Sequence, residues 1–539
     1  MMDFSSKKLI GLLVLIFIAV AIPRLIFLDL DHGDEFTDAN VLNAGKNFAK
    51  FGFVKCRFLP FFDAQITEPL KNPYSHFPAL PENINGLLRI LFKTGSLLLF
   101  RLIAILLSLA AVIIWYFFVK KISGSTGLAF LGAVFYLSNP YFIYGFDDLQ
   151  QLHYSELLRA AILFSFIALS DHRQAQRKWS IGVLWALLFI TSLVTYEYVI
   201  FTFVFFLLFG RVLTPKNEER VSWNELVILG SASFAGFLLH FLQNVWFFNS
   251  FALACNDLLN IALGRSFGNY ELSVPLNFLD WLKYVIWRNF SLVFLFDCVT
   301  LIVASFLAYI LYRGLSDQRR EKARNLFNLS AVLAFCGITW YVFFPSHALA
   351  HAWVGFVVRH LTLAASLTFT LFFYILWSYL KENSLLNLPM RSFFAGMTAW
   401  VVIGGVLQSQ LPVTPAKIAA ARDFLTFKHY LVTLKNISRP ADAIGVNYHR
   451  YPFMSYYADR NFIVAHDRRM LKDLPKLPEY FIFLPYPAPY SQDLAKVLDE
   501  KYAVLFQCPS QRFPAVFMKR KDAVKETLTI KPPMLSLDI

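Results

Sequence analysis

The chain has 539 residues, of which 57% are hydrophobic and 17% aromatic, and its mean hydropathy is +0.51. Those figures exclude an ordinary soluble enzyme and describe a polytopic membrane protein. The formal charge of +14 sits in short Lys/Arg clusters between apolar runs rather than on one basic face, so it sets topology and does not point to nucleic acid as a partner.

With a ruler of about 20 apolar residues per membrane crossing, about eleven spans are read: 8 to 28, 96 to 119, 126 to 144, 155 to 170, 179 to 194, 196 to 212, 224 to 246, 290 to 313, 327 to 345, 358 to 380 and 392 to 410. The first follows Lys7-Lys8 and lacks a small-residue cleavage site after it, so it reads as an uncleaved span. Residues 179 to 212 must fold as two short spans around Thr195-Tyr196-Glu197-Tyr198, because one long helix there would move every later segment to the other side. Lys120-Lys121, Arg173 with Arg177-Lys178, Arg211 with Lys216 and Arg220, the run Arg313 to Arg324, and Lys381 with Arg391 fall on alternate loops. Those loops are expected to be cytoplasmic, with the N-terminus. The loop after span one, the loop after span three, segments 247 to 289 and 345 to 357, and everything after 410 are expected outside. Five cysteines stand singly at 56, 255, 298, 336 and 508, without zinc-type spacing.

The least apolar stretch lies just after span one. Leu28-Asp29-Leu30-Asp31-His32-Gly33-Asp34-Glu35-Phe36-Thr37-Asp38 places five carboxylates and a histidine in eleven residues. Crowded carboxylates raise one another's pKa or recruit a cation, which suits proton abstraction or metal binding by Asp34, Glu35 and His32. A plain solvated acidic loop would have the same composition. Phe36, Ala39, Asn40, Leu42, Asn43, Ala44, Phe48 and Phe51 then follow helical spacing, predicting an interfacial amphipathic helix that Gly52 ends. The turn-rich Asn72-Pro73-Tyr74-Ser75-His76-Phe77-Pro78-Ala79-Leu80-Pro81 leads into a second interfacial helix over about 82 to 93.

Two further polar clusters are expected on the outer face. After span three come Asp147 and Asp148, then Gln150, Gln151, His153, Tyr154 and Glu156; Glu156 and Arg159 also stand at the i, i+3 spacing of a local ion pair. Before span ten come His347 and His351, four apart and on one face if helical, with Arg359-His360 beyond. Two imidazoles suit a metal, whereas imidazoliums beside Arg359, whose guanidinium forks onto phosphate oxygens, suit an anion. After residue 410 the pattern changes to short strands at 442 to 448, 461 to 465, 479 to 485, 502 to 507 and 514 to 518, with helices at about 416 to 436 and 491 to 500. Residues 1–410 thus read as a transmembrane catalytic module and 411–539 as a small extracytoplasmic α/β domain. That domain has no phosphate loop or nucleophile motif and is expected to act as a lid or in acceptor recognition.

The first span, the pair Asp34-Glu35, a glycine-terminated amphipathic helix, the loop His76-Phe77-Pro78-Ala79-Leu80-Pro81 and Leu99-Phe100-Arg101-Leu102 opening span two together resemble the GT-C glycosyltransferases. Within them the layout is most similar to bacterial enzymes using polyprenyl-phosphate sugars, akin to protein O-mannosyltransferases and the aminoarabinose transferase of lipid A. The Pro-Pro often found in the second motif is Phe77-Pro78-Ala79 here. The resemblance implies a GT-C fold in the bacterial inner membrane and inverting transfer, on the outer face, of a sugar from a polyprenyl-phosphate donor to a lipid, glycan or protein acceptor. It implies Asp34 as base, Glu35 as helper or metal ligand, and Asp147, Asp148 or Glu156 as a second-loop acid. His347, His351, Arg359 and His76 would bind the donor phosphate. A divalent cation serves some members and is dispensable in others. The competing class is a transporter or flippase for a lipid-linked glycan, which would want mid-span charges and an internal repeat; mid-membrane charge is scarce, Asp297 near an edge being the main candidate, and there is no repeat.

Overall fold

The computed structural model describes residues 6–26, 35–66, 70, 73–169, 174–213, 221–267, 279, 292–345, 361–383, 396, 415–448, 452–465, 467–472, 474, 476–485, 491–510 and 514–524. In chain order the helices are α1 (Ser6–Ile26), α2 (Glu35–Phe51), α3 (Leu80–Phe92), α4 (Leu97–Ser123), α5 (Thr126–Leu137), α6 (Pro140–Gly145), α7 (Leu152–Leu169), α8 (Gln174–Val194), α9 (Glu197–Leu207), α10 (Trp223–Phe248), α11 (Phe251–Phe267), α12 (Leu292–Tyr312), α13 (Asp317–Phe343) and α14 (Thr362–Glu382). The C-terminal part then runs α15 (Pro415–Ile437), β1 (Ile444–Val446), α16 (Pro452–Ala458), β2 (Phe462–Val464), α17 (Arg468–Lys472), β3 (Tyr480–Phe483), α18 (Ser491–Lys501), β4 (Tyr502–Cys508) and β5 (Ala515–Arg520). The expected spans up to residue 380 coincide with helices, except that 126 to 144 is divided between α5 and α6 and 196 to 212 passes from α9 into a π-helical turn, Leu208–Leu213; 392 to 410 lies outside the described residues. Among the described residues, four helices are long and apolar enough to cross a membrane: Leu97–Ser123, Arg177–Val194, Trp223–Phe248 and Thr362–Glu382. The protein is an integral membrane protein.

The chain divides into two compact units, one of residues 1–26, 75–81 and 98–411, the other of 27–74, 82–97 and 412–539. In the first, α14 is the central helix, packed on α5, α12 and α13. Its small and polar side chains tie neighbours together, as helices do where lipid offers no hydrophobic drive for association. The Trp115 Nε1–H donates to Ser366 Oγ (2.9 Å), and the Ser366 hydroxyl donates to the Gly132 carbonyl (2.7 Å). Local chemistry sets the boundaries. Gly124 (φ +63) closes α4 and the Ser125 hydroxyl caps α5. A capping box of Ser222 and Glu225 opens α10, and Arg177 of α8 donates to both Glu225 oxygens at 2.7 and 3.0 Å. The helix breaks at Thr195-Tyr196, where the sequence called for two segments, and Thr195 Oγ1 accepts the Glu197 N–H at 3.3 Å. Helix α11 is unforeseen, as are the short helices α16 and α17; α11 lies in segment 247 to 289, which was expected outside.

In the second unit all five expected strands form one sheet of order β2-β1-β3-β5-β4, parallel across β2, β1 and β3 and antiparallel across β3, β5 and β4. Phe517 of β5 stacks on Phe506 (4.7 Å between ring centres), and Tyr430 of α15 stacks on both. The helix expected after the acids is α2, and Gly52 (φ +85) ends it by donating its N–H to the Phe48 carbonyl at 2.9 Å. The expected interfacial helix is in fact largely enclosed, because α2 packs on α16 and α3 covers it: Val41, Leu42, Ala44 and Phe48 are buried, with Asp38, Asn40, Asn43 and Asn47. Gly45 and Gly86 permit the approach of α2 to α3, since a Cβ on Gly86 would lie 2.7 Å from Phe48 Cβ and one on Gly45 2.0 Å from Asn85 Oδ1.

Candidate functional site

Helix α2 begins at Glu35, at the end whose unpaired N–H groups and dipole favour negative charge. Asp34 and His32 lie outside the described residues, and of Glu35 the backbone alone is described. What positions α2 is plain. Lys46 forms an ion pair with Asp459 and donates to the Ala64 carbonyl at 3.1 Å. Asn47 Nδ2 donates to the carbonyls of Phe61 (2.9 Å) and Asp63 (2.8 Å). Gln65 donates its N–H to Asn461 Oδ1 (2.9 Å) and its amide to Asp459 Oδ1 (2.8 Å). Behind them Arg460 is buried and donates to Ser438 Oγ at 3.0 Å and to the Lys435 carbonyl at 2.7 Å. Burial pushes the Asp459 carboxyl up, but the hydrogen bond and charge of Lys46 and the charge of Lys435 more than offset it, and it settles below the usual carboxylate range. Nearby Asp63 is raised by burial.

The loop holding His76 is fastened inside the first unit. His240 Nε2 stands 2.9 Å from the Ser75 carbonyl, Asn244 Nδ2 donates to the same oxygen at 3.2 Å, and the Ser75 hydroxyl donates to Asp257 Oδ2 at 2.7 Å. Phe77 stacks on Tyr196 with ring centres 6.4 Å apart. His76 is half-buried on this loop. Sequence reasoning passed over His240, Asn244 and Asp257. The signal was present as His240 and Asn244 one helical turn apart within a largely apolar span, where polar side chains are costly and therefore used.

The second-loop acids are all engaged. Arg101 Nη1 donates to the Asp147 carboxylate and carbonyl, both at 3.0 Å, with each side chain 1% exposed. Asp148 Oδ1 accepts the N–H groups of Gln150, Gln151 and Leu152 at 3.0 to 3.2 Å and so opens α7. Glu156 takes the local alternative: Arg159 Nη2 donates to it at 2.5 Å, the Tyr136 hydroxyl also donates to it, and the Tyr198 hydroxyl stands at 3.3 Å. The Arg159 guanidinium lies over the rings of Tyr198 (5.0 Å) and Phe201 (5.5 Å) and reaches Thr362 Oγ1 at 3.4 Å. These groups border a cavity lined by Ser108, Phe142, Gly145, Phe146, Leu152, Glu156 and Thr362. His153 is buried beside them, its Nδ1 with no protein partner.

His347, His351 and Arg359 lie outside the described residues, directly before α14. Among the described residues there is no group of three or more His, Cys, Asp or Glu able to hold a metal.

No protein-family model and no curated protein matches the sequence. The fold does match. The crystal structure of ArnT from Cupriavidus metallidurans bound to undecaprenyl phosphate aligns over 97% of this chain and 99% of its own, with a TM-score of 0.56 at 12% identity. The chain has the GT-C fold. A GT-C oligosaccharyltransferase, that of Archaeoglobus fulgidus in the apo form, aligns over 89% of this chain and 69% of its own, with a TM-score of 0.49 at 13% identity. The agreement with ArnT runs nearly end to end, so the GT-C layout includes the C-terminal α/β part as well as the spans.

Proposed function

We propose that this GT-C protein is a glycosyltransferase that moves a sugar from a polyprenyl-phosphate donor to a lipid, glycan or protein acceptor on the outer face of a bacterial inner membrane, with inversion. The observation that carries the reading is the end-to-end likeness to an ArnT structure that holds undecaprenyl phosphate. The acids at the start of α2 supply the chemistry. An acceptor hydroxyl attacks the anomeric carbon while the Asp34 carboxylate takes its proton, and the bond from that carbon to the phosphate oxygen breaks. The departing lipid phosphate needs cations, and Arg359, His347, His351 and His76 are the residues assigned to it. Glu35 supports Asp34. If a divalent cation takes part, Asp34, Glu35 and His32 would hold it, and it would stabilise phosphate charge. Of the second-loop acids Asp147, Asp148 and Glu156, the contacts above favour roles in holding the site.

The test is transfer from a panel of radiolabelled polyprenyl-phosphate sugars by purified wild type and Asp34→Asn, with and without chelator. Transfer by wild type alone is expected. No transfer from any donor by folded wild type, or equal transfer by the variant, would overturn the assignment and favour a transporter.

A further inference from the structure

Polar side chains inside a membrane helix are costly, and α10 directs two of them at a single backbone atom. His240 and Asn244, both buried, donate to the Ser75 carbonyl oxygen at 2.9 and 3.2 Å. A carbonyl only accepts, so His240 carries a hydrogen on Nε2, and the two lone pairs of the oxygen take both bonds. Ser75 is itself buried, which leaves no water to replace either donor. The oxygen belongs to the peptide group whose nitrogen is that of His76. That group is planar and resists rotation, so holding its oxygen fixes the direction in which the chain enters His76.

Both residues flanking His76 are held as well. The Ser75 hydroxyl donates to Asp257 Oδ2 of α11 at 2.7 Å. Helix α11 is braced on α10 by a sharp turn at Asn249 (φ +48) and by Phe251, set edge-on to Phe241 with ring centres 5.4 Å apart. On the other side Phe77 stacks on Tyr196, which in turn packs on Phe237 and His240 of α10, ring centres 5.9 and 6.4 Å away. Pro78 follows and restricts Phe77 to extended backbone. His76 thus stands, half-buried, between two residues fastened to α10, α11 and the break between α8 and α9. A loop that only links two helices needs no buried polar grip. A side chain that must meet a ligand within about 0.5 Å does, and supporting hydrogen bonds are what provide it.

We infer that His240 and Asn244, with Asp257 behind them, are positioning residues for the donor: they hold the Ser75–His76 peptide so that the His76 imidazole meets the lipid phosphate. The inference rests on the proposed reading of His76 as a phosphate ligand. It extends the donor site into α10, a helix that carries none of the acids or phosphate-binding residues assigned above.

Binding of radiolabelled undecaprenyl phosphate to purified full-length protein in detergent tests this without turnover. His240→Leu/Asn244→Leu removes both donors at similar volume and should weaken binding about tenfold. His240→Gln, whose amide still donates to the carbonyl, should bind as wild type does. In a His76→Ala background the leucine pair should add no further loss, because residues acting through one another are not additive. If the leucine pair does not fold, Asn244→Ala carries the same comparison with an expected loss of about threefold. Wild-type affinity in the leucine pair, with His76→Ala weakened, would overturn the positioning role and leave the reading of His76 standing. A loss that adds in full to that of His76→Ala would make the pair structural and overturn the role too. No binding by folded wild type, or wild-type affinity in His76→Ala, would overturn the phosphate reading itself and the inference with it.

Discussion

Arg101–Asp147 in the first unit and Lys46–Asp459 in the second do similar work under different dielectric conditions. Each fastens a loop to a helix. The first pair has both side chains 1% exposed, so neither charge has water to fall back on. The second is 31% and 22% exposed and shares its carboxylate with Lys435 and Gln65. The Asp147 carboxylate is therefore committed to architecture, whereas the network around Asp459 is partly exposed and redundant. The contrast also separates the two acidic loops, because the second-loop carboxylates are all paired or capping while Asp34 is proposed to stay with the chemistry.

The largest effect expected is on turnover. Asp34→Asn should lower transfer by about 10²- to 10⁴-fold, the range for loss of a general base, while the thermal midpoint in detergent stays near that of wild type. A large fall in the midpoint would place Asp34 with the structural acids and erase the contrast.

Next comes Arg101→Met, which leaves Asp147 buried without its cation and should cost about 3–5 kcal/mol of stability. Adding Asp147→Leu should recover most of the loss, as read by thermal unfolding of both variants. A double variant as unstable as the single one would show that Arg101 acts through contacts other than Asp147.

Gly86→Ala should cost about 1–3 kcal/mol, because the added methyl meets Phe48 Cβ and forces α3 away from α2. Unfolding of this variant reads the cost, and an unchanged midpoint would mean that the two helices separate freely.

The smallest effect belongs to Asp459→Asn, below about 1 kcal/mol at neutral pH for a partly exposed pair screened by salt. Because the folded carboxyl lies below its ordinary value, its contribution is complete above the unfolded pKa of about 3.9 and disappears as pH falls through the folded value. Thermal midpoints taken from pH 7 down to pH 3 should converge for wild type and variant at the acid end. Parallel curves would remove Asp459 from the acid response.

Much of the architecture was readable from local chemistry. The strands at 442 to 448 and 502 to 507, the Gly52 stop and the break at Thr195-Tyr196 were legible because turn residues and hydrophobic period act over a few residues. The i, i+3 spacing of Glu156 and Arg159 announced their ion pair for the same reason. The partnership of Arg101 with Asp147 was not legible, since 46 residues separate them and nothing in either neighbourhood names the other. The same holds for His240, Asn244 and Asp257, which meet Ser75 only when α10 and α11 come beside its loop.

By itself the sequence determined that the protein lives in a bilayer, where several of its helices start and stop, and that acids crowd the stretch after the first span, because composition and near-neighbour sterics carry that information. Tertiary structure alone decided that α2 would be enclosed rather than laid bare at an interface, and which carboxylates would be neutralised by distant cations. It also decided that residues 27–74 would join the C-terminal sheet in one compact unit. Those outcomes depend on Lys46 meeting Asp459 and Gln65 meeting Asn461 across 413 and 396 residues of chain, and pairings at that separation are fixed by the packing of whole elements rather than by any local signal.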